Sequence, residues 1–333
     1  MYNVALLVTR AMAESIFTSE DLAFLGTFAE YNAPDTLPEV MTQDFMREHL
    51  KDADTCVTCW GMPSLTADML TPRLKLVAHA AGTIKNLIPP ELWDTRCRVT
   101  SNANVIARDV AQTVLAFTLT SLAGLWTNAR NTREGGWKGG ESGTFATRRL
   151  EGLNIGLVGL SLVCREVIKV FKPYDCPIYV YDPFASPIEM RELGVSYLPL
   201  DELIATSDIL SLHAPANEDC RHMLNARNLP LLKDGALFIN TARGMLVDEP
   251  ALIRELQTGR IFACIDVTDP EPPRADHPFR TLPNVVLTSH VAGGHSANGR
   301  KKLGAAVIRR TYDYLTRGLL ENEVRREMLT HMA

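Results

Sequence analysis

Along the first hundred residues, short apolar runs alternate with stretches that have a polar face and helical spacing. "NVALLV", "TCVTCWG", "LKLVAHAAG" and "RVTSNA" are β-rich and bounded by polar turns. Between them, "SEDLAFLGTFAE", "TQDFMREHLKD" and "PPELWDT" carry helix-start signals. This alternation argues for a parallel sheet covered by helices. Residues 106–128 read as one long, mostly apolar helix, too polar at its start to span a membrane and placed to pack between two domains. The polar, glycine-rich "TREGGWKGGESGTFATRRLEG" separates it from a second alternating run, "NIGLVG", "PIYVYDP", "ILSLHAP", "ALFINTARG", "FACIDV" and "NVVLTSH". Six strands in this order predict a doubly wound sheet. Residues 296–333 read as two helices, "SANGRKKLGAAVIRRTYDYLTRG" and "ENEVRREMLTHMA", with no further strand. They are placed to return to the first domain and make it discontinuous.

Composition narrows the classes. A chain of 333 residues suggests two domains, and 46% hydrophobic with 22% charged residues suits a well-buried globular protein. The net charge of −5 without a Lys/Arg block argues against nucleic-acid and anionic-membrane partners. No apolar run approaches the roughly 18 residues of a membrane span. "MYNVALLVTR" has no basic region before its apolar run, so it reads as a first strand rather than a signal peptide. No regulatory domain is expected after residue 333. Seven scattered cysteines, an odd number, fit reduced thiols and a cytoplasmic protein. Cys56 and Cys59 form a C-x-x-C, but no second cysteine pair or histidine cluster accompanies them. A strand without metal is the expectation there.

"IGLVGLSLVCR" (155–165) is the first stretch with chemistry in it. A strand runs into a turn and a helix, as in a dinucleotide-binding unit, but of the G-x-G-x-x-G pattern only Gly159 remains. Ser161 and Cys164 take the other two glycine positions. Gly159 would permit the tight turn, Ser161 could offer a hydroxyl to a phosphate, and Cys164 is small enough for close helix–strand packing. A second strand ends at Asp182, close to the roughly 20-residue spacing of a carboxylate that bonds a ribose hydroxyl. We expect a working site, weakened but not abolished by the two replacements, that prefers NAD to NADP.

Three polar residues close strands of the second run: Arg243 after "INTA", Glu271 after "DVTDP" and His290 after "VLTS". In an open α/β sheet the carboxyl ends of the strands face the ligand crevice. An arginine offers a fixed fork to a carboxylate or a polarised carbonyl. A histidine exchanges one proton near neutral pH, and a neighbouring carboxylate orients it. These are the needs of hydride transfer between a nicotinamide and a 2-oxo or 2-hydroxy acid.

The stretches "INTARGMLVDEPAL", "DVTDPEPP", "LPNVVLTSHVAGG", "LEGLNIGLVGL" and "VYDP", with "LKLVAHAAGTIKNLIP" and "NANVIARDVAQTVLAFTL", carry a resemblance over nearly the whole chain. It is to the D-isomer-specific 2-hydroxyacid dehydrogenases. The resemblance implies a Rossmann-type NAD-binding domain (105–297) inserted into a flavodoxin-like substrate-binding domain (1–104 and 298–333). It also implies an active site in the cleft and a homodimer. It assigns Arg243 to the substrate carboxylate and carbonyl, His290 to general acid/base work and Glu271 to pairing with His290. The implied cofactor residues are Gly159, Ser161, Leu162, Val163, Asp182, His213, Pro215, Thr241, Ala242 and Asp266, the last contacting the nicotinamide amide. Ala81, Gly82 and Thr83 form the implied substrate-carboxylate loop, and no metal is implied. Gln112 and Ser289 depart from the family pattern, where a glutamate and a proline are usual. Two alternatives stand beside a dehydrogenase: a binding or regulatory protein on the same fold, like the C-terminal-binding corepressors, and formate dehydrogenase chemistry, against which Glu271 counts. The substrate is left open among glyoxylate, hydroxypyruvate and bulkier oxo acids; Lys85 is thin support for phosphoglycerate.

Overall fold

A computed structural model describes residues 1–137 and 147–330. The chain begins with β1 (Tyr2–Leu7), α1 (Arg10–Ile16), α2 (Ser19–Gly26), β2 (Ala29–Tyr31), α3 (Gln43–Leu50), β3 (Thr55–Thr58), β4 (Leu76–His79), β5 (Arg98–Ser101) and α4 (Ala103–Leu122). It continues with α5 (Leu125–Arg133), β6 (Ile155–Val158), α6 (Leu162–Phe171), β7 (Ile178–Tyr181), α7 (Pro187–Leu193) and β8 (Ser196–Tyr197). Then follow α8 (Leu200–Thr206), β9 (Ile209–Leu212), β10 (Leu237–Asn240), α9 (Glu249–Gln257), β11 (Phe262–Ile265), β12 (Val285–Leu287), α10 (Ala297–Arg317) and β13 (Glu323–Val324). Two compact units result. Met1–Asp109 joins Gly294–Thr330 in the first, and Val110–Gly293 forms the second.

The first unit carries a sheet in the order β13-β5-β4-β3-β1-β2, with β1 to β5 parallel. The five parallel strands thus run 2-1-3-4-5, the flavodoxin-like order. Every residue of β3 and β4 is buried, as strands covered on both faces require. The second unit has the order β12-β11-β10-β9-β6-β7-β8, all parallel. Counted from β6 this is 3-2-1-4-5-6 with one more strand on the edge, the Rossmann arrangement. The expected fold class is the one observed.

Several elements differ from the sequence reading. Seven strands form the second sheet, not six, because β8 is two exposed residues and too short to show a period. In the first unit "AEY" is β2 rather than the tail of a helix, and "PPELWDT" contains only a 3-10 turn over Pro90–Asp94. The long helix starts earlier and stops at Leu122. Gly124 adopts φ +65°, a left-handed conformation that ends one helix before α5 begins. By length and composition α4 is apolar enough to cross a membrane, against the expectation from its polar start. Ala107, Ala111, Val114 and Thr118 of that helix are nevertheless buried in the fold. Residues 138–146 of the glycine-rich stretch lie outside the described residues.

The C-terminal segment is corrected most. α10 is present, but "ENEV" supplies β13, which pairs antiparallel with β5 through Glu323↔Thr100 and Val324↔Val99. Arg98 pairs with Glu323, and the Thr100 hydroxyl donates to the carbonyl of Glu321 at 2.8 Å. A two-residue strand of mixed polarity has no readable period; the open edge of β5 selects it. Beyond it Arg326–Thr330 is a 3-10 turn. α10 lies against α1 so closely that a Cβ on Gly304 would sit 1.9 Å from the carbonyl oxygen of Ile16. Gly304→Ala is therefore expected to cost about 1–3 kcal/mol, the usual size of overpacking. Urea unfolding measures it; a midpoint equal to wild type would contradict the contact.

Candidate active site

All the site residues expected in the second unit lie just past the carboxyl ends of its strands. Gly159–Val163 follow β6, Asp182 follows β7, and His213–Pro215 follow β9. Thr241–Arg243 follow β10, Asp266–Glu271 follow β11, and His290 follows β12. Parallel pairing alone puts these loops on one edge of the sheet. Ala81–Thr83 occupy the corresponding end of β4 in the other unit's sheet.

The nucleotide corner is built on Gly159. Its φ is +91°, and a Cβ there would lie 2.7 Å from backbone atoms of Ala214. The Gly159 N–H donates to Tyr181 at 2.8 Å and the His213 N–H to Val158 at 2.7 Å, locking the turn between its neighbours. Ser161 is the N-cap of α6; its hydroxyl oxygen accepts the Cys164 N–H at 3.4 Å and keeps its own proton for another acceptor. Cys164 is fully buried in the first turn, with its thiol pushed up by desolvation. The two replacements are thus absorbed without disturbing the strand–turn–helix geometry. Leu162 is exposed and Val163 half-buried at the helix start, where free N–H groups suit a phosphate. Asp182 accepts the Leu160 N–H at 2.7 Å and the Phe184 N–H at 2.8 Å, so it ties the glycine turn to the end of β7. His213 is buried, held near pKa 3 by desolvation, and its Nε2 has no partner among the described residues; Thr241 Oγ1 is likewise unpaired. Pro215 and Ala242 are half-buried beside them. A backbone cradle that admits no Cβ, with orphaned polar atoms at strand ends, fits a dinucleotide.

His290 and Glu271 are brought together. His290 Nδ1 lies 2.7 Å from Glu271 Oε1, and an ionised carboxylate makes Nδ1 the donor. Nε2 has no partner among the described residues. His290 adopts φ +57°, a left-handed conformation that costs a non-glycine residue about 1–2 kcal/mol. Asp266, only 2% exposed, braces it. Its carboxylate accepts from Thr288 Oγ1 at 2.5 Å, Val291 N–H at 2.9 Å and Ala292 N–H at 3.0 Å. Its carbonyl oxygen takes the His290 N–H at 2.8 Å. Oδ2 keeps one acceptor position free. An open pocket of about 780 Å³ is lined by Asp266, Thr268, Glu271, Arg280, Thr288 and His290. The exposed Ser289 precedes the histidine without disturbing this bracing.

Arg243 is half-buried, and its Nη1 donates to the carbonyl of Ala242 at 2.6 Å. Burial pushes its guanidinium pKa down and Glu271 pushes it back up. Three supporting residues were not anticipated. Asn240 grips the arginine turn, its amide donating to the Arg243 carbonyl at 2.9 Å and accepting the Ala242 N–H at 3.1 Å. Gly244 abuts backbone, since a Cβ there would lie 2.1 Å from the Thr268 carbonyl carbon. Buried Glu249 accepts the Asp269 N–H at 2.8 Å and faces His277 Nε2 at 3.1 Å, fixing the strand of chain that leads to Glu271. Burial holds the Glu249 carboxyl above its usual range. "NTARG" and "VDE" were the available signals, but support roles leave no spacing rule.

Other histidines and cysteines, with Gln112, take structural places. His79 is buried with its Nδ1 2.9 Å from Thr58 Oγ1, and burial lowers its pKa to about 4. His295 stacks over Trp60 with ring centroids 6.5 Å apart. Gln112 is exposed on α4. Cys56 and Cys59 are free and buried in and beside β3, as the strand reading required; desolvation raises both, Cys59 to about 12. No group of three or more potential metal ligands occurs among the described residues.

Residues 115–292 match the NAD-binding domain of the D-isomer specific 2-hydroxyacid dehydrogenases. A hydroxypyruvate reductase of Thermotoga maritima is 29% identical over 282 residues, covering 83% of this chain and 90% of that protein. A glyoxylate reductase of Korarchaeum cryptofilum is 31% identical over 258 residues, 76% of this chain and 77% of its own. A D-3-phosphoglycerate dehydrogenase of Methanocaldococcus jannaschii is 28% identical over 85% of this chain, which spans only 54% of that longer protein. Among solved structures, a phosphoglycerate oxidoreductase from Rhizobium etli superposes with TM-score 0.82 at 25% identity, covering 98% of this chain and 99% of its own. The chain belongs to the D-isomer specific 2-hydroxyacid dehydrogenase family. It is an NAD-dependent oxidoreductase of 2-hydroxy acids.

Gly159→Ala tests the cofactor corner. A Cβ at positive φ against fixed backbone should weaken NADH binding more than about tenfold by calorimetry. An unchanged Kd would remove the turn from the cofactor site.

Proposed function

We propose that the protein reduces a small 2-oxo acid to the D-2-hydroxy acid with NADH, using His290 as the proton donor. The observation that carries this reading is the His290–Glu271 pair on a braced, left-handed turn. When bound, the cofactor supplies a hydride to the substrate carbonyl carbon. Nε2 of His290 gives its proton to the carbonyl oxygen, and in oxidation takes it back. Glu271 keeps Nδ1 protonated and the ring oriented. Arg243 polarises the carbonyl and pairs with the carboxylate, and the N–H groups of Ala81–Thr83 hold that carboxylate. The free position on Asp266 Oδ2 serves the nicotinamide amide. Ser161, Leu162, Val163, His213, Pro215, Thr241 and Ala242 line the cofactor groove. The unit of Met1–Asp109 and Gly294–Thr330 is the substrate-binding domain.

A cofactor-impaired binding protein is the weaker alternative, because the cradle at Gly159 is intact and Ser161 caps its helix. The relatives act, by their names, on different oxo acids, so a panel of glyoxylate, hydroxypyruvate and bulkier 2-oxo acids with NADH is the direct test. At least one should turn over, and His290→Ala should lose on the order of 10²–10⁴ in rate. Near-normal reduction by that variant would sink the assignment.

The negative charge of Asp182 opposes a 2′-phosphate, and "PFASPIE" after it contains no Arg or Lys. NADH should therefore exceed NADPH in kcat/KM; equal values would contradict the role of Asp182. We also propose a homodimer in the cytoplasm. Leu125 and Trp137 are exposed, large apolar side chains that suit burial against a second copy. All seven cysteines are free. Light scattering should give twice the 36.9 kDa chain mass; a monomer at micromolar concentration would exclude the dimer.

A further inference from the structure

Arg310 lies on α10. It is 7% exposed. Its guanidinium donates to the Ser101 carbonyl at 2.9 Å, to Asn102 Oδ1 and to Asn104 Oδ1 at 2.8 Å. All three acceptors are neutral, and no carboxylate of the described residues lies within ion-pair distance; exposed Glu321 acts on it only from farther away. A buried charge is costly to leave unpaired, which makes this one worth explaining.

The partners of Arg310 lead directly to the Ala81–Thr83 loop. Asn102 donates from its side-chain amide to the carbonyls of Ala80 at 3.2 Å and Leu303 at 2.8 Å, and from its backbone N–H to the Ala81 carbonyl at 2.9 Å. Those contacts turn the Ala81 carbonyl towards the Asn102–Arg310 network. In a trans peptide the N–H points opposite to its carbonyl, so the Gly82 N–H is turned away from the network. No acceptor for the Gly82 or Thr83 N–H occurs among the described residues. The first turn of α4 stands beside this loop. Ile106 Cδ1 is 3.5 Å from where a Gly82 Cβ would sit; the Val105 and Ile106 N–H groups donate to the Asn102 carbonyl, and those of Ala103 and Asn104 have no acceptor among the described residues. The loop donors therefore lie on the far side of Asn102 from the buried cation, beside the start of α4.

We infer that Arg310 is a positioning residue that holds the Ala81–Thr83 loop through Asn102 and makes it a receptor for the carboxylate of a 2-oxo acid. This rests on the proposed carboxylate role of that loop. The charge acts through a poorly screened interior, and the amide of Asn102, polarised by it, fixes which way the loop carbonyls face.

Asn104→Asp separates charge from architecture. It preserves the oxygen that accepts from Arg310 but gives the guanidinium a counter-ion, and an acid in the first turn of a helix is stabilising. The expected result is a KM for the 2-oxo acid, and a Kd for oxalate on the NADH-loaded enzyme, raised about tenfold. kcat and the NADH Kd should stay within about twofold and Tm should not fall. Arg310→Met should raise KM similarly with a lower Tm, and Arg310→Lys should recover part of the loss. Unchanged KM and oxalate affinity in Asn104→Asp would overturn the inference. Should the wild type reduce no 2-oxo acid, the functional reading fails instead; the oxalate titration still decides the role of the charge. Gly82→Pro, which deletes a loop N–H, should also raise KM, and a normal value there would remove the loop from the carboxylate site.

Discussion

The buried carboxylate of Asp266 is the constraint on which the loops at the carboxyl end of the second unit's sheet depend. It stands one residue past β11 and takes three donors from the segment that follows β12, and its own carbonyl takes a fourth. His290 is thereby held in a left-handed conformation that would otherwise relax, with its ring against Glu271. A carboxylate in so little solvent would be expensive alone; surrounded by N–H and O–H donors it is stable and rigid. In the proposed role of His290 as proton donor, such fixing settles orientation before substrate arrives.

The nucleotide corner uses the same economy with different parts. Gly159 is irreplaceable because its φ and the neighbouring backbone both refuse a Cβ. The next two positions of the usual pattern are less demanding. Ser161 converts a lost glycine into a helix cap, and Cys164 fits because the helix–strand spacing accommodates one small apolar side chain. Asp182 then joins the turn to β7 by accepting two backbone N–H groups. The two replacements leave the strand–turn–helix unit intact.

The sequence made legible what depends on local order. Alternating buried runs marked both parallel sheets, and the residues at the ends of those runs marked Arg243, Glu271 and His290, since a parallel sheet places successive strand ends on one edge. The distance from the glycine turn to Asp182 was legible for the same reason, being the length of one helix and one strand. Residues that act through neighbours were not. Asn240, Gly244 and Glu249 hold the arginine and glutamate loops from positions that no period or motif spacing singles out. Asp266, read as a cofactor contact, shows its bracing role only when the 288–292 segment folds over it.

Sequence alone therefore determined the two sheets, their approximate strands and the residue types at their carboxyl ends, because these follow from periodicity and from residue type. Tertiary structure alone decided the partners. β13 exists because β5 has an open edge, not because "ENEV" prefers extension, and β8 for the same reason on the other sheet. The left-handed turn at His290, the close contact at Gly304 and the buried charge of Arg310 beneath a loop more than two hundred residues earlier are long-range pairings. Their free energy comes from groups brought together only by folding, and no local stretch records it.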